Sequence, residues 1–297
     1  MRWRQALCEA GFSTGGVAPP RIPAADAEAL GRWLAAGFQA EMGWIERSAT
    51  LRSDPASFLP GARCLLVVGL DTWAPPAGLA GGGRIARYAR GRDYHRFMAR
   101  RLRELQRILG LGLARPALDI HPILERALAA QAGLGWRGRQ SQLVSPLFGP
   151  WLLLGELFTE SLLEPAPPAE AQAGCASCRA CQAACPTGAI VAPGVVDSRR
   201  CLSFWTIEAR TLQPPELRAA QGEWLFGCDL CLEACPIRRA PAPAPDPDLQ
   251  PTLPELSLAE LLDLTPLAFE ERIRATPLRR AGLAGLRRNA AIVAANL

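Results

Sequence analysis

The chain contains no lysine. All 33 of its basic residues are arginine, set against 28 acidic ones for a net charge of +5. A GC-rich coding sequence accounts for that bias, and no mechanism follows from it. The planar guanidinium does suit phosphate contact, and a modest positive charge leans weakly toward a nucleic-acid partner. Histidine is nearly absent: His95 and His121 are the only two. Long apolar runs are missing as well. The best membrane candidate, residues 151–163, is short and interrupted by Glu156 and Glu160, too little to span a bilayer. The first ten residues have neither an apolar core nor a cleavage site, which argues against a secretory signal. A soluble cytoplasmic protein with no membrane partner is expected, a setting that suits reduced thiols.

Cysteine, by contrast, is concentrated. Eight of the ten lie within 61 residues, as Cys175-x-x-Cys178-x-x-Cys181-x-x-x-Cys185-Pro186, then Cys201, then Cys228-x-x-Cys231-x-x-x-Cys235-Pro236. The first run has the bacterial ferredoxin spacing, in which the fourth cysteine serves the other cluster. Three thiolates two residues apart wrap one four-iron cube, and the fourth leaves the loop on an emerging helix. On that logic one [4Fe-4S] cluster takes Cys175, Cys178, Cys181 and Cys235, and a second takes Cys185, Cys201, Cys228 and Cys231. The small residues between them leave room for backbone N–H groups to approach cluster sulfur and tune its potential. A structural zinc site would use four cysteines and leave four without a role. A disulfide framework belongs to small secreted domains. Cys8 and Cys64 read as structural, Cys64 opening the apolar run to Leu70 as a buried strand thiol.

Length and composition allow two or three packed units. Residues 24–47 have helical periodicity, 64–70 read as a strand, and 93–110 form a basic amphipathic helix with Asp93 near its start. A helix is expected over 123–132, followed by the glycine-broken turn 133–138 and strands over 142–147 and 151–158. The fold class is α+β: an α/β unit over 1–165, a ferredoxin-like two-cluster unit over 166–240, and a short helical segment over 241–297. Proline-rich stretches at 165–170 and 241–247 mark the joins. The tail reads as helices over 256–264, 266–274 and 278–297. Its Arg279, Arg280, Arg287 and Arg288 are either a solvated helix face or, on the sharper reading, RNA contacts.

Several blocks together resemble the epoxyqueuosine reductase family. They include Arg52-Ser-Asp-Pro55, Arg87-Tyr-Ala-Arg-Gly-Arg-Asp-Tyr-His95, Leu118-Asp119, Leu124-Glu-Arg-Ala127, Ala132-Gly-Leu-Gly-Trp136, Leu154-Gly-Glu156, Arg200-Cys-Leu-Ser203 and Phe226-Gly-Cys-Asp-Leu-Cys231. The resemblance runs from about residue 30 to 297. It implies a base-off cobalamin, cob(II)alamin, held between the N-terminal unit and two [4Fe-4S] clusters. The implied substrate is epoxyqueuosine at the wobble position of a tRNA anticodon loop, reduced to queuosine with electrons from an external donor. The protein is expected to be a monomer.

The same resemblance implies the site residues. Asp119 matches the proton donor. To act as an acid near neutral pH its pKa would have to rise, which burial would achieve; local sequence alone would make it the cap of a helix beginning near Pro122. Arg52, Ala86, Leu143, Leu154, Ser203 and Asp229 match cobalamin contacts, and Arg52 could otherwise pair with Asp54. The family uses no lower histidine ligand, so His95 reads as a structural or surface residue and His121 as a near-site neighbour. Longer members continue into helical repeats beyond a segment like Arg288-Asn-Ala-Ala-Ile292, whereas this sequence stops at Leu297, within what reads as the first repeat helix. Two rival readings are a ferredoxin-like electron-transfer module without its own substrate and another cobalamin-dependent reductase, such as a reductive dehalogenase.

Overall fold

The computed structural model describes residues 2–75, 78–165, 174–237, 246, 248–249 and 256–297. The two proline-rich stretches fall almost wholly outside those residues.

The apolar run from Cys64 forms β2 (Cys64–Asp71), buried at every position. It lies inside a four-stranded antiparallel sheet of order β1-β2-β7-β4, with β1 (Thr14–Ala18), β4 (Ala114–Ala117) and β7 (Leu152–Thr159). The run is unbroken because both faces of the sheet are covered. Leu66, Val68 and Leu70 meet α1 (Arg2–Glu9) and α5 (Tyr94–Leu109), while Leu65 and Val67 meet α6 (Glu125–Gln131). Along α5, Phe97, Met98, Leu102 and Leu105 recur at helical spacing and supply its buried stripe. Asp93 caps its start by accepting from the His95 N–H, and Gly110 ends it in the left-handed conformation at φ +63.

The helix expected over 24–47 is broken. It divides into α2 (Ala24–Ala35), a turn, and α3 (Gly43–Arg47), with α4 (Ala49–Ser53) just beyond. Gly37 and Ala40 both have positive φ in that turn, which interrupts the helical hydrogen-bond ladder. The strand expected over 142–147 shrinks to β6 (Leu143–Val144), paired with β5 (Trp136–Arg137). Pro146 cannot donate to a ladder, and the chain turns back through a Ser145–Gly149 bridge.

The cysteine-bearing stretch is built from short pieces: α7 (Ala180–Ala183), the β8 (Ile190–Ala192) and β9 (Val195–Val196) hairpin, α8 (Leu202–Ile207), α9 (Pro215–Gln221), β10 (Trp224–Phe226) and α10 (Leu230–Glu233). Strand β10 pairs in parallel with β3 (Arg84–Ile85). The tail forms α11 (Leu258–Leu262), α12 (Pro266–Ile273) and α13 (Gly282–Asn296). These helices share one apolar cluster with Ile85, Ala89, Leu225 and Phe226. Asn289, buried on α13, donates to the carbonyls of Thr206 at 2.8 Å and Leu225 at 2.9 Å. Residues far apart in sequence are thereby locked around the cysteine loops.

Candidate active site

The cap that starts α5 also builds the acid–base centre. Asp93 Oδ1 accepts from the His95 backbone and lies 2.5 Å from His95 Nδ1. The other ring nitrogen, Nε2, lies 2.8 Å from Oδ1 of Asp119, two residues beyond the end of β4. Tyr94 donates its hydroxyl to Oδ2 of Asp119, and its ring stacks on His95 with centroids 4.1 Å apart. Asp119 thus bridges His95 and Tyr94, and its side chain is 42% exposed.

The charges in this set follow from the geometry. Burial alone would lower the His95 pKa, but hydrogen bonds to Asp119 and Asp93, and their charges, raise it to about 9. Burial would raise Asp119, yet the hydrogen bond and charge of His95 and the hydroxyl of Tyr94 leave it below the ordinary carboxylate value. In the protein alone, near neutral pH, the proton therefore resides on His95 and not on Asp119. The cap reading fails as well, since α6 begins at Glu125 with Leu124 at its cap position and no side-chain cap bond. His121 accepts from the Leu118 backbone N–H at 3.1 Å and stands edge-on to Phe58. Its burial lowers its pKa.

More charge lies around this centre. Glu125, first in α6, is raised to about 7 by desolvation and then by Asp119, with Arg126, Arg52 and His95 opposing. Glu156 on β7 is fully buried, and neither carboxyl oxygen has a hydrogen-bond partner. Arg52 is buried and does not pair with Asp54; it donates to Ser48 Oγ at 3.0 Å and to the Ile123 carbonyl at 3.2 Å, and packs over Trp44. Tyr88 marks where the parts of the chain meet. Its pKa is raised by burial and then by Asp119, Asp229 and Glu208, with Arg280 opposing.

The eight cysteines of the motif are free thiols. Their mutual influence divides them into two groups. Burial raises Cys235, and Cys175, Cys181 and Cys178 raise it further. Burial likewise raises Cys231, followed by Cys201, Cys228 and Cys185. Cys228, in the second group, is pushed up to about 12 by burial first and then by Cys201, Asp229 and Cys185. Among the described residues, no three cysteine, histidine or carboxylate side chains converge as ligands of one metal ion; the corners of a four-iron cube stand farther apart than that. Donors to sulfur are in place: Trp136 Nε1 lies 3.4 Å from Cys175 Sγ, and the Ala189 N–H lies 3.3 Å from Cys185 Sγ.

The remaining expected residues line this junction unequally. Asp229, between two cysteines, is buried; its Oδ2 accepts from the Arg87 N–H at 2.8 Å and lies 3.5 Å from Arg87 Nη1. Ala86 is buried, donates its N–H to the Phe226 carbonyl, and packs where Gly227 has no side chain. Ser203 is half-buried on α8. Leu143 and Leu154 are core residues beneath α6, so their side chains serve packing. Reasoning from the sequence missed His95 as the partner of Asp119, and missed Tyr88, Tyr94, Glu125 and Glu156. The Asp93-Tyr94-His95 triplet at a helix start was the available signal for the first of these.

On the tail, Arg279 and Arg287 are exposed, while Arg280 bonds Glu208 at 2.8 Å. Arg288 is committed elsewhere: it donates to the carbonyls of Trp205, Ala209 and Thr211. Arg280 and Arg288 are thus both engaged within the chain. A cleft of about 560 Å³ lies beside them, lined by Arg210, Arg279, Arg280 and Arg288 among others.

Two groups of four thiols beside a hydrogen-bonded acid–base set define an iron–sulfur oxidoreductase that handles protons as well as electrons. A pure electron carrier has no need of the His95–Asp119 pair. The family described as epoxyqueuosine reductase QueG, DUF1730, matches residues 52–119, and a 4Fe-4S double cluster binding domain matches residues 174–238. The chain belongs to the epoxyqueuosine reductase family. It is 41% identical to the epoxyqueuosine reductase of Synechococcus sp. (strain CC9605), covering 97% of this chain and 92% of that one. It is 36% identical to that of Escherichia coli (strain K12), over 97% and 78%. Among solved structures, epoxyqueuosine reductase with an epoxyqueuosine-modified tRNA-Tyr stem loop superposes with a TM-score of 0.86 at 26% identity, over 99% and 80%.

Proposed function

We propose that this protein reduces the epoxide of epoxyqueuosine in a tRNA anticodon loop to the cyclopentenediol of queuosine. The observation that carries this reading is the His95–Asp119–Tyr94 set, with Asp119 open to a junction that also gathers Tyr88, Asp229 and Arg280. Asp119 accepts the His95 proton and delivers it to the epoxide oxygen, and Tyr94 holds the carboxyl in place. Near neutral pH the pair is already charged with that proton. The exposed Arg279, Arg280 and Arg287 contact phosphate, and the adjoining cleft receives the anticodon loop.

The residues present fit the cofactors that the family implies. We assign Cys175, Cys178, Cys181 and Cys235 to one [4Fe-4S] cluster, and Cys185, Cys201, Cys228 and Cys231 to the other. Arg52, Ala86, Asp119, Ser203 and Asp229, with the backbone of Leu143 and Leu154, would hold cobalamin at the junction. Both nitrogens of His95 lie against carboxylates, and Nδ1 of His121 against the Leu118 backbone. When bound, cobalamin supplies a strongly reducing centre and the clusters carry electrons to it. An external electron donor, a monomeric state and a cytoplasmic location complete the reading; no helix among the described residues is long and apolar enough to cross a membrane. We divide the chain by role into 1–165, 166–240 and 241–297.

The test is anaerobic reconstitution with iron, sulfide and cobalamin, then incubation with reductant and an epoxyqueuosine stem loop. About eight irons per chain and loss of one oxygen from the nucleoside mass are expected, with Asp119→Asn inactive. About four irons, or an unchanged nucleoside, would refute the reading.

A further inference from the structure

Glu156 is a carboxyl in the wrong place for packing. It points from the middle of β7 to the face covered by α6, opposite Val67 on one side and Ala117 on the other. Leu65, Val67, Leu154 and Phe158 surround that position. It is 0% exposed, and both its oxygens lack partners. A leucine there would bury no polar group at all, so the carboxyl answers to something other than stability.

Its surroundings say what. Ala117 ends β4 two residues before Asp119, and α6, which packs on β7, begins at Glu125. The charged groups that bear on Glu156 are Glu125 and Asp119, both acidic. Glu125 faces Asp119 too, along with Arg126, Arg52 and His95. Glu156 alone lies wholly within the apolar layer, with Glu125 half-buried and Asp119 exposed, so it is the one least able to ionise beside the other two. Arg126, Arg52 and His95 bear on Glu125, and Arg115, on β4 beside Glu156, is engaged by the carbonyl and ring of Phe58.

The reaction states the need. Deoxygenating an epoxide takes two electrons and two protons: both C–O bonds break, a C=C bond forms, and the oxygen leaves as water. The electrons come from the external one-electron donor. The His95–Asp119 pair holds one proton. We propose that the buried Glu156 carboxyl stores the second proton and returns it, by way of Glu125, to Asp119 after the first has been released. This inference rests on the functional reading above; Glu156 touches no substrate and acts through Asp119 as a positioned reserve.

Infrared spectroscopy of the holoprotein tests the store directly, without turnover. A protonated carboxyl absorbs well above the carboxylate bands and shifts in D2O. Such a band is expected even above about pH 8, where Glu125 is ionised, and should vanish in Glu156→Gln. Single turnover of the epoxyqueuosine stem loop should slow about tenfold or more in that variant, with the deficit widening as pH rises. Should the glutamine variant fold poorly, Glu156→Leu leaves no unpartnered polar atom and should show the same losses. Absence of the band from the parent, its survival in both variants, or parental turnover in either variant overturns the proposal. A parent that shows the band yet leaves the stem loop unreduced refutes the functional reading, and the role of Glu156 with it, while the stored proton itself stands.

Discussion

The protonation of His95 can be read without substrate, because only two histidines are present. Their imidazoles should titrate on opposite sides of the ordinary value of about 6.5. His95 lies between Asp93 at 2.5 Å and Asp119 at 2.8 Å and should titrate near 9. His121, partly buried with no carboxylate at hydrogen-bond distance, should titrate below 6.5. A rise from 6.5 to about 9 corresponds to about 3 kcal/mol of preference for the charged ring. The sign follows from linkage. A raised folded pKa contributes stability fully present below about 6.5 and lost as pH climbs through about 9. Replacing Asp119 by Asn removes one of the two partners and should lower the His95 midpoint by about one pH unit or more, leaving His121 almost unmoved. Histidine-labelled protein followed by NMR from pH 5 to 10 measures both midpoints. Single-turnover reduction should fall over the same range in which His95 loses its proton. A His95 midpoint near 6.5 in the parent, or one insensitive to Asp119→Asn, would refute the charged-pair argument.

Trp136→Phe removes the indole N–H that lies 3.4 Å from Cys175 Sγ. It should lower the midpoint potential of one cluster and leave the other unchanged in an EPR-monitored titration, because hydrogen bonds to sulfur favour the reduced state. Cys178→Ser and Cys231→Ser, each in a different thiol group, should each cut bound iron from about eight to about four per chain. Arg288→Ala deprives three carbonyls of their donor and should cost about 3 kcal/mol, read as a lower urea midpoint. Arg287→Ala, on the exposed neighbour, should leave that midpoint in place and weaken stem-loop binding in a salt-dependent way.

What could be read from the sequence was local. Ligand spacing in the cysteine runs is set by a few residues of loop, and Asp93 caps α5 two residues from the N–H it accepts, so both are visible in a short window. The pairing of His95 with Asp119 is not, because the two come together only when α5 packs on the sheet that carries β4. Arg288 shows the converse error. By composition it belongs with its exposed neighbours, yet its position beside Asn289 turns it toward the carbonyls at the end of α8. The broken helix between α2 and α3 failed for another reason: apolar periodicity continues through Phe38 and Met42, while the backbone at Gly37 and Ala40 departs from it.

Glu156 lies between these cases. As a charge within an apolar segment it reads as the residue that disqualifies a membrane span. Yet Leu154, Glu156 and Phe158 alternate in a strand flanked by buried partners, and period-two reasoning places all three on one face. The flanking residues are core, so the middle one must be core as well. A carboxyl forced into a core by register must be paired, neutral, or both. Its register partners are Val67 and Ala117, and Arg115, two residues along β4, is turned to the carbonyl and ring of Phe58 instead. Neutrality remains, and a neutral acid beneath Asp119 is a proton held where the chemistry consumes protons. That step needs only the strand pairing that the structure supplies, and it turns a residue that argued against one function into support for another.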